Sequence, residues 1–236
     1  MNDDSCIIID YKKYKEWVFP FGGEIGIKFH EEGYSTLAGI TLGNDYVYFA
    51  DRVYGRVNKL NYKSGEIIFG RKDAVNELIM DLIYFNNFIY VITLNSGIYI
   101  FNEDLDLFNK YKYSLFATAG FYFERTKDTL KINVTYSPGL HIFKLKDGSL
   151  ISKEVKFVTN EADLFNLRRN TYSTVQGKYF EKIESNGNNY LKTDDGCYLL
   201  KNKIEEYEMP NLDFTDSTIV YFEVNERELT FHFLEY

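Results

Sequence analysis

The chain has 236 residues, with 27 Lys and Arg against 35 Asp and Glu, giving a formal net charge of −8. That length can bury a full core, and residues 1–236 read as a single domain. The acidic balance excludes the usual nucleic-acid binder, which needs a basic surface to neutralise phosphates.

Aromatics make up 18% of the residues, with 21 Tyr and 20 Phe against 3 Pro. Tyr and Phe favour strands, so the composition points to an all-β protein. The longest apolar runs, such as Ile7-Ile8-Ile9, are far too short for a membrane span. The N-terminus, Met1-Asn2-Asp3-Asp4-Ser5-Cys6, lacks the basic and apolar regions of a signal peptide. The expected location is therefore the cytoplasm, with no membrane partner.

Read in chain order, one element recurs: a turn followed by an apolar strand. It stands at Asp3-Asp4-Ser5-Cys6-Ile7-Ile8-Ile9, Tyr54-Gly55-Arg56-Val57, Ser96-Gly97-Ile98-Tyr99-Ile100-Phe101, Pro138-Gly139-Leu140-His141-Ile142-Phe143 and Asp195-Gly196-Cys197-Tyr198-Leu199-Leu200. A second element, ending in Tyr-Phe, precedes the later copies: Tyr84-Phe85, Tyr122-Phe123, Tyr179-Phe180 and Tyr221-Phe222. A β-rich segment lies between the two elements, and one more strand follows each turn element, as at Trp17-Val18-Phe19 and Glu66-Ile67-Ile68-Phe69. Tight turns at Lys63-Ser64-Gly65-Glu66 and Lys146-Asp147-Gly148-Ser149 join the last two strands.

Each unit is thus four strands, a to d, repeating at roughly 40–50 residues, as propeller blades do. The chain starts at a c strand and ends after a b strand. The expected fold is a five-bladed β-propeller, closed by N-terminal c and d strands that complete the C-terminal a and b strands. In that arrangement Cys6 and Cys197 occupy equivalent places in neighbouring blades. Facing sheets lie about 10 Å apart, too far for a disulfide, so both are expected as buried thiols.

Departures from the repeat are candidates for function. Two long connections, Gly22 to Ser35 and Thr159 to Thr171, both join strand d to the next strand a. They crowd one end of the disc, together with the b–c turns. The candidate partner-binding residues on that face are Glu31, Glu32, Tyr34, Asp51, Arg52, Tyr54, Glu161, Asp163, Asp194, Asp195 and Asp213. The face is aromatic and mostly acidic, which suits a basic protein.

The sequence holds no nucleophile elbow, His-Glu-x-x-His, Walker loop or Cys-x-x-Cys pair. No catalytic residue, metal or cofactor is expected. His141 and His232 read as structural strand residues, and His30 as a contact residue. Glu124, Glu181 and Glu223 follow the Tyr-Phe pairs. If they end successive inner strands, they ring a channel mouth, where paired carboxylates could hydrolyse glycosides. A lectin-like sugar binder is another alternative, but its blades would be near-identical, and Trp17 is the only tryptophan.

The favoured class is a protein-binding propeller. In its whole-chain character the sequence resembles a bacterial immunity protein of the contact-dependent growth inhibition type: small, acidic, rich in Asn, Lys, Ile and Tyr, with single-copy insertions on one face. The resemblance implies a toxin inhibitor whose partner is a cognate basic nuclease, such as an EndoU-like ribonuclease.

Overall fold

A computed structural model describes residues 8–9, 12–20, 37–94, 97–113, 120–136, 139–157, 174–175, 178–185, 188–193, 196–200, 212–215, 217–224 and 227–236. Among these every regular element is a strand. Sheet I holds β3 (Leu37–Leu42), β4 (Tyr46–Asp51), β5 (Arg56–Asn61) and β6 (Ile67–Phe69). Sheet II holds β7 (Ile79–Phe85), β8 (Phe88–Thr93), β9 (Gly97–Asn102) and β10 (Leu107–Lys112). Sheet III holds β11 (Gly120–Arg125), β12 (Leu130–Tyr136), β13 (Gly139–Lys146) and β14 (Ser149–Phe157). All three are antiparallel meanders in chain order, as the repeat predicts.

Hairpin chemistry follows the sequence. Asp147 and Gly148 have φ of 48° and 73°, and Asn86 and Asn87 have φ of 49° and 65°. Two consecutive residues at positive φ suit the twist of a two-residue hairpin, and Asn, Asp and Gly tolerate that conformation best. Gly148 also sits where any Cβ would come within 2.8 Å of the Phe108 ring.

The last two sheets depart from the expected pattern. Sheet V runs β19 (Leu212–Phe214), β20 (Thr218–Val224), β21 (Glu228–Glu235) and then β2 (Lys13–Pro20). This sheet therefore joins three C-terminal strands to one N-terminal strand, not two to two. β2 pairs antiparallel with β21 over eight residues, from Lys13 opposite Glu235 to Pro20 opposite Glu228. Sheet IV runs β15 (Thr174–Val175), β16 (Lys178–Ser185), β17 (Asn188–Thr193) and β18 (Gly196–Leu200), and β1 (Ile8–Ile9) adds parallel to β18. The Tyr-Phe strands β16 and β20 thus stand second in their sheets. β15 and β19, two and three residues long, precede them.

This placement overturns the cysteine reading. Cys197 is disulfide-bonded, and the chain's only other cysteine is Cys6. The reason is that β1 joins the sheet containing Cys197, with Ile8 directly opposite Cys197, and only β2 goes to the neighbouring sheet V. Disulfides persist in oxidising compartments, so the bond does not fit the cytoplasmic location expected from the N-terminus.

The sheets stack face to face through four described cores. Phe222, Phe231 and Phe233 of sheet V pack with Phe49 and Leu60 of sheet I. Tyr48 of sheet I packs with Tyr84 and Tyr99 of sheet II, and the Tyr48 and Tyr84 rings stack at 5.3 Å. Phe85 and Tyr90 of sheet II meet Ile132 and Phe143 of sheet III. Tyr221 and Leu234 of sheet V meet Leu191 and Tyr198 of sheet IV.

Neighbouring residues on one strand therefore serve different cores, as Tyr84 and Phe85 do. This is why the strands read as continuous apolar runs. Phe231 touches the rings of Phe19, Phe49 and Phe222. Phe231→Ala should cost about 3–5 kcal/mol in urea unfolding, since a fully buried ring leaves a cavity. Reduction with dithiothreitol should lower the stability by about 2–4 kcal/mol, read as a fall in Tm that Cys197→Ser reproduces and that reductant does not add to.

Candidate functional site

Four of the eleven expected contact residues fall among the described residues, and they do not form one exposed face. Asp51 is the last residue of β4 and is buried. Its Oδ1 accepts from the Tyr54 backbone N–H at 3.1 Å, and its Oδ2 lies 3.2 Å from both Nε and a terminal nitrogen of the buried Arg56. Burial pushes the Asp51 carboxyl up, against the hydrogen bond from Tyr54 and the charge of Arg56. Tyr54 is half-buried beneath two cations, Arg56 at 4.7 Å and Lys72 at 4.4 Å from its ring. Asp51 and Tyr54 are thus knitted into the β4–β5 turn. Glu31, Glu32, Tyr34, Glu161, Asp163, Asp194 and Asp195 lie outside the described residues, as does His30.

Arg52 and Asp213 belong to a different grouping, built by the end strands of the sheets. β19 lies against β3, and β3 against β7. Asp213, buried in β19, accepts through Oδ2 from the Thr41 hydroxyl at 3.0 Å and the Leu42 N–H at 2.7 Å. The Thr41 hydroxyl also accepts from the Tyr84 N–H at 3.0 Å. These bonds tie sheets V, I and II together.

Asp81 joins them from β7, at a register shift between Ile79 and Asp81. Its carboxylate occupies the space that a Cβ on Gly39 would fill, 2.2 Å from Oδ1. β3 has its own register shift between Leu37 and Ile40, around that glycine. Bulges re-aim side chains, and here two of them bring β3 and the Asp81 carboxylate together.

The electrostatics are those of a buried polar cluster. Burial is the main reason the Asp81 carboxyl is raised well above the usual range. The Leu82 N–H opposes this at 2.7 Å, the Asp213 charge adds to it and Arg52 opposes it. Burial lowers both Arg52 and Arg125, with Asp81 counteracting at Arg52 and Asp213 at Arg125. Arg52 Nε donates to the Ile79 carbonyl at 2.9 Å, while Arg125 Nε is buried without a hydrogen-bond partner among the described residues. Chemically, the cluster gathers the buried carboxyls of Asp81 and Asp213 with the guanidinium groups of Arg52 and Arg125, a setting for holding a polar ligand or for fixing the strands themselves.

The acids expected at a channel mouth are not equivalent. Glu124 lies in the end strand β11, but Glu181 and Glu223 lie in β16 and β20, one strand further in their sheets. Glu124 receives hydrogen bonds from Lys131 at 2.9 Å and Asn133 at 3.0 Å. Glu223 lies 3.4 Å from Nε2 of His232. His141 and His232 are buried strand residues, as expected, and the Tyr14 hydroxyl lies 2.9 Å from Nδ1 of His232. Among the described residues no group of three His, Cys, Asp or Glu stands close enough to hold a metal ion. No helix there is long and apolar enough to cross a membrane.

The surface feature missed in sequence lies on sheet II. Leu107 and Phe108 of β10 are 50% and 54% exposed, and they follow the exposed acids Asp104 and Asp106. The available signal was an apolar pair set directly after two acids in a turn, a pattern easily read as an ordinary strand start.

No family model matches the sequence, and no curated protein matches it. Among solved structures the chain is similar to the computationally designed Ika4 protein, with a TM-score of 0.39 and 8% identity over 76% of this chain and 98% of that one. It is similar to Kuenenia stuttgartiensis hydrazine synthase at a TM-score of 0.41 and 8% identity, over 80% of this chain. The chain spans 51% of that protein's length. The computationally designed Ika8 protein gives 0.36 and 10%, over 81% of this chain and 57% of that one.

The Asp81 carboxyl titrates above its unfolded value. The stability it contributes is complete below an unfolded pKa of about 3.9 and is lost as pH rises through the folded value. Asp81→Asn keeps an acceptor for the Leu82 N–H and removes that loss. Urea unfolding should show the variant gaining on the parent as pH rises above about 4, with the gain levelling off once pH passes the folded value.

Proposed function

We propose that the five sheets close into a ring as a five-bladed β-propeller, and that the chain works by binding another protein. The partner we favour is a basic protein, with an inhibited toxin such as a nuclease as the leading case, in the manner of an immunity protein. The observation that carries this reading is the pair Leu107 and Phe108, half exposed and preceded by Asp104 and Asp106. Exposed apolar side chains rimmed by charge mark interaction surfaces, and aromatic anchors supply most of the affinity at such sites. The net charge of −8 speeds encounter with a basic partner. The burial of Asp51 and Asp213 moves the weight of the proposal from the β4–β5 turn to this patch.

A tagged chain, recovered from its native cells at low and at high salt, tests the reading. One basic protein at near-equal stoichiometry, with weaker recovery at high salt, is the expected result. Leu107→Ser with Asp104→Lys and Asp106→Lys should weaken capture ~100-fold. Reversal of Glu124, Glu181 and Glu223 should have little effect. If reversal of Glu31, Glu32, Asp194 and Asp195 is the damaging change, the Leu107 and Phe108 patch is not the contact surface. Recovery of no protein under either condition would sink the partner-binding reading.

A further inference from the structure

Strand β14 stands at the end of sheet III, hydrogen-bonded, among the described residues, to β13 on one side only. It is nine residues long, and every residue but Leu150 is exposed. Ile151, Val155 and Phe157 are 53%, 43% and 75% exposed, so this edge carries apolar side chains as well as outward-facing backbone groups. A long exposed edge is a template for another strand, and proteins normally blunt it with charge. Here the charges are Lys153, Glu154 and Lys156. Their order bears on which strand can pair with the edge.

Two copies of β14 related by a two-fold axis perpendicular to the sheet pair antiparallel, with like faces together. If the axis passes through residue 153, Lys153 opposes its own copy. If it passes through residue 154, Glu154 does. Like charges directly opposite disfavour pairing. If it passes through Val155, each Glu154 opposes a Lys156, twice over, and each Lys153 opposes a Phe157. Glu154 and Lys156 already lie 3.6 Å apart within one strand, exposed on one face, so the symmetric pairing forms a four-charge cluster of alternating sign. On the other face Lys153 lies 5.3 Å from the Phe143 ring, and Phe157 of the second copy would add another aromatic surface for it.

We infer that β14 is a self-association edge, on which a second copy of this chain pairs antiparallel about Val155. The contact is small, so the dimer is weak and forms at high concentration. The inference does not depend on the basic partner proposed above.

Sedimentation velocity across a concentration series tests it by a charge swap. The parent should show a reversible monomer–dimer equilibrium. Glu154→Lys alone places lysines opposite lysines, and Lys156→Glu alone places glutamates opposite glutamates. Each should weaken dimerisation ~10-fold or more. An equimolar mixture of the two single variants should restore it. One copy then carries lysine at both positions and the other glutamate at both, so each cross-strand pair is again of opposite sign. Both positions are exposed, so unchanged Tm values separate this result from misfolding. A parent that stays monomeric, a dimer indifferent to both substitutions, or a mixture that does not recover would each overturn the inference.

Discussion

A strand covered on both faces by neighbouring sheets has little room for a polar side chain on either. That constraint governs most of this protein. Phe222 turns to sheet I while Tyr221 turns to sheet IV. Tyr48 and Phe49 divide between sheets II and V in the same way. Tyrosine is useful here because its ring fills a core while its hydroxyl reaches the sheet margin. Tyr84 does both, stacking on Tyr48 and donating to Glu103 at 2.6 Å.

The buried carboxylates that do enter are gathered into shared networks, while Arg125 Nε stays buried without a hydrogen-bond partner among the described residues. Asp51 is closed off by Arg56 and the Tyr54 N–H. Asp213 is tied to Thr41 and Leu42, and through Thr41 to Tyr84. Such networks hold strands in register, since sliding one strand would leave a buried carboxylate unpaired. The outer strands face no such demand, and there apolar and charged side chains alternate freely, as on β14.

The repeat was legible because double burial leaves a strong trace. Gly97, Gly139 and Gly196 each open the strand predicted for them, in β9, β13 and β18. The Tyr-Phe marker was misleading for a physical reason. For Tyr84-Phe85 and Tyr221-Phe222 it records burial on two faces, not position within a sheet, and the marker falls in the first strand of sheets II and III but the second strand of sheets IV and V. β15 and β19 are too short to leave any periodicity, which hid the three-plus-one make-up of sheet V. The site was far less legible. Asp51 and Asp213 look like turn acids in sequence, and only the packing of neighbouring sheets buries them. Asp81 sits within an apolar run, and its place opposite Gly39 depends on two bulges that sequence does not announce.

The pairing of β2 with β21 has a consequence for synthesis. β2 leaves the ribosome before the strands of sheets I, II and III, and its hydrogen-bonding partner follows more than 200 residues later. At roughly 5–20 residues per second, the strand waits for about ten seconds or more with both edges open. Sheets I, II and III are local meanders that can form during that wait, so a strand made before all of them is among the last to dock. Over that interval Trp17 and Phe19 are apolar side chains without their core. A holding chaperone has its clearest opportunity on this nascent chain there.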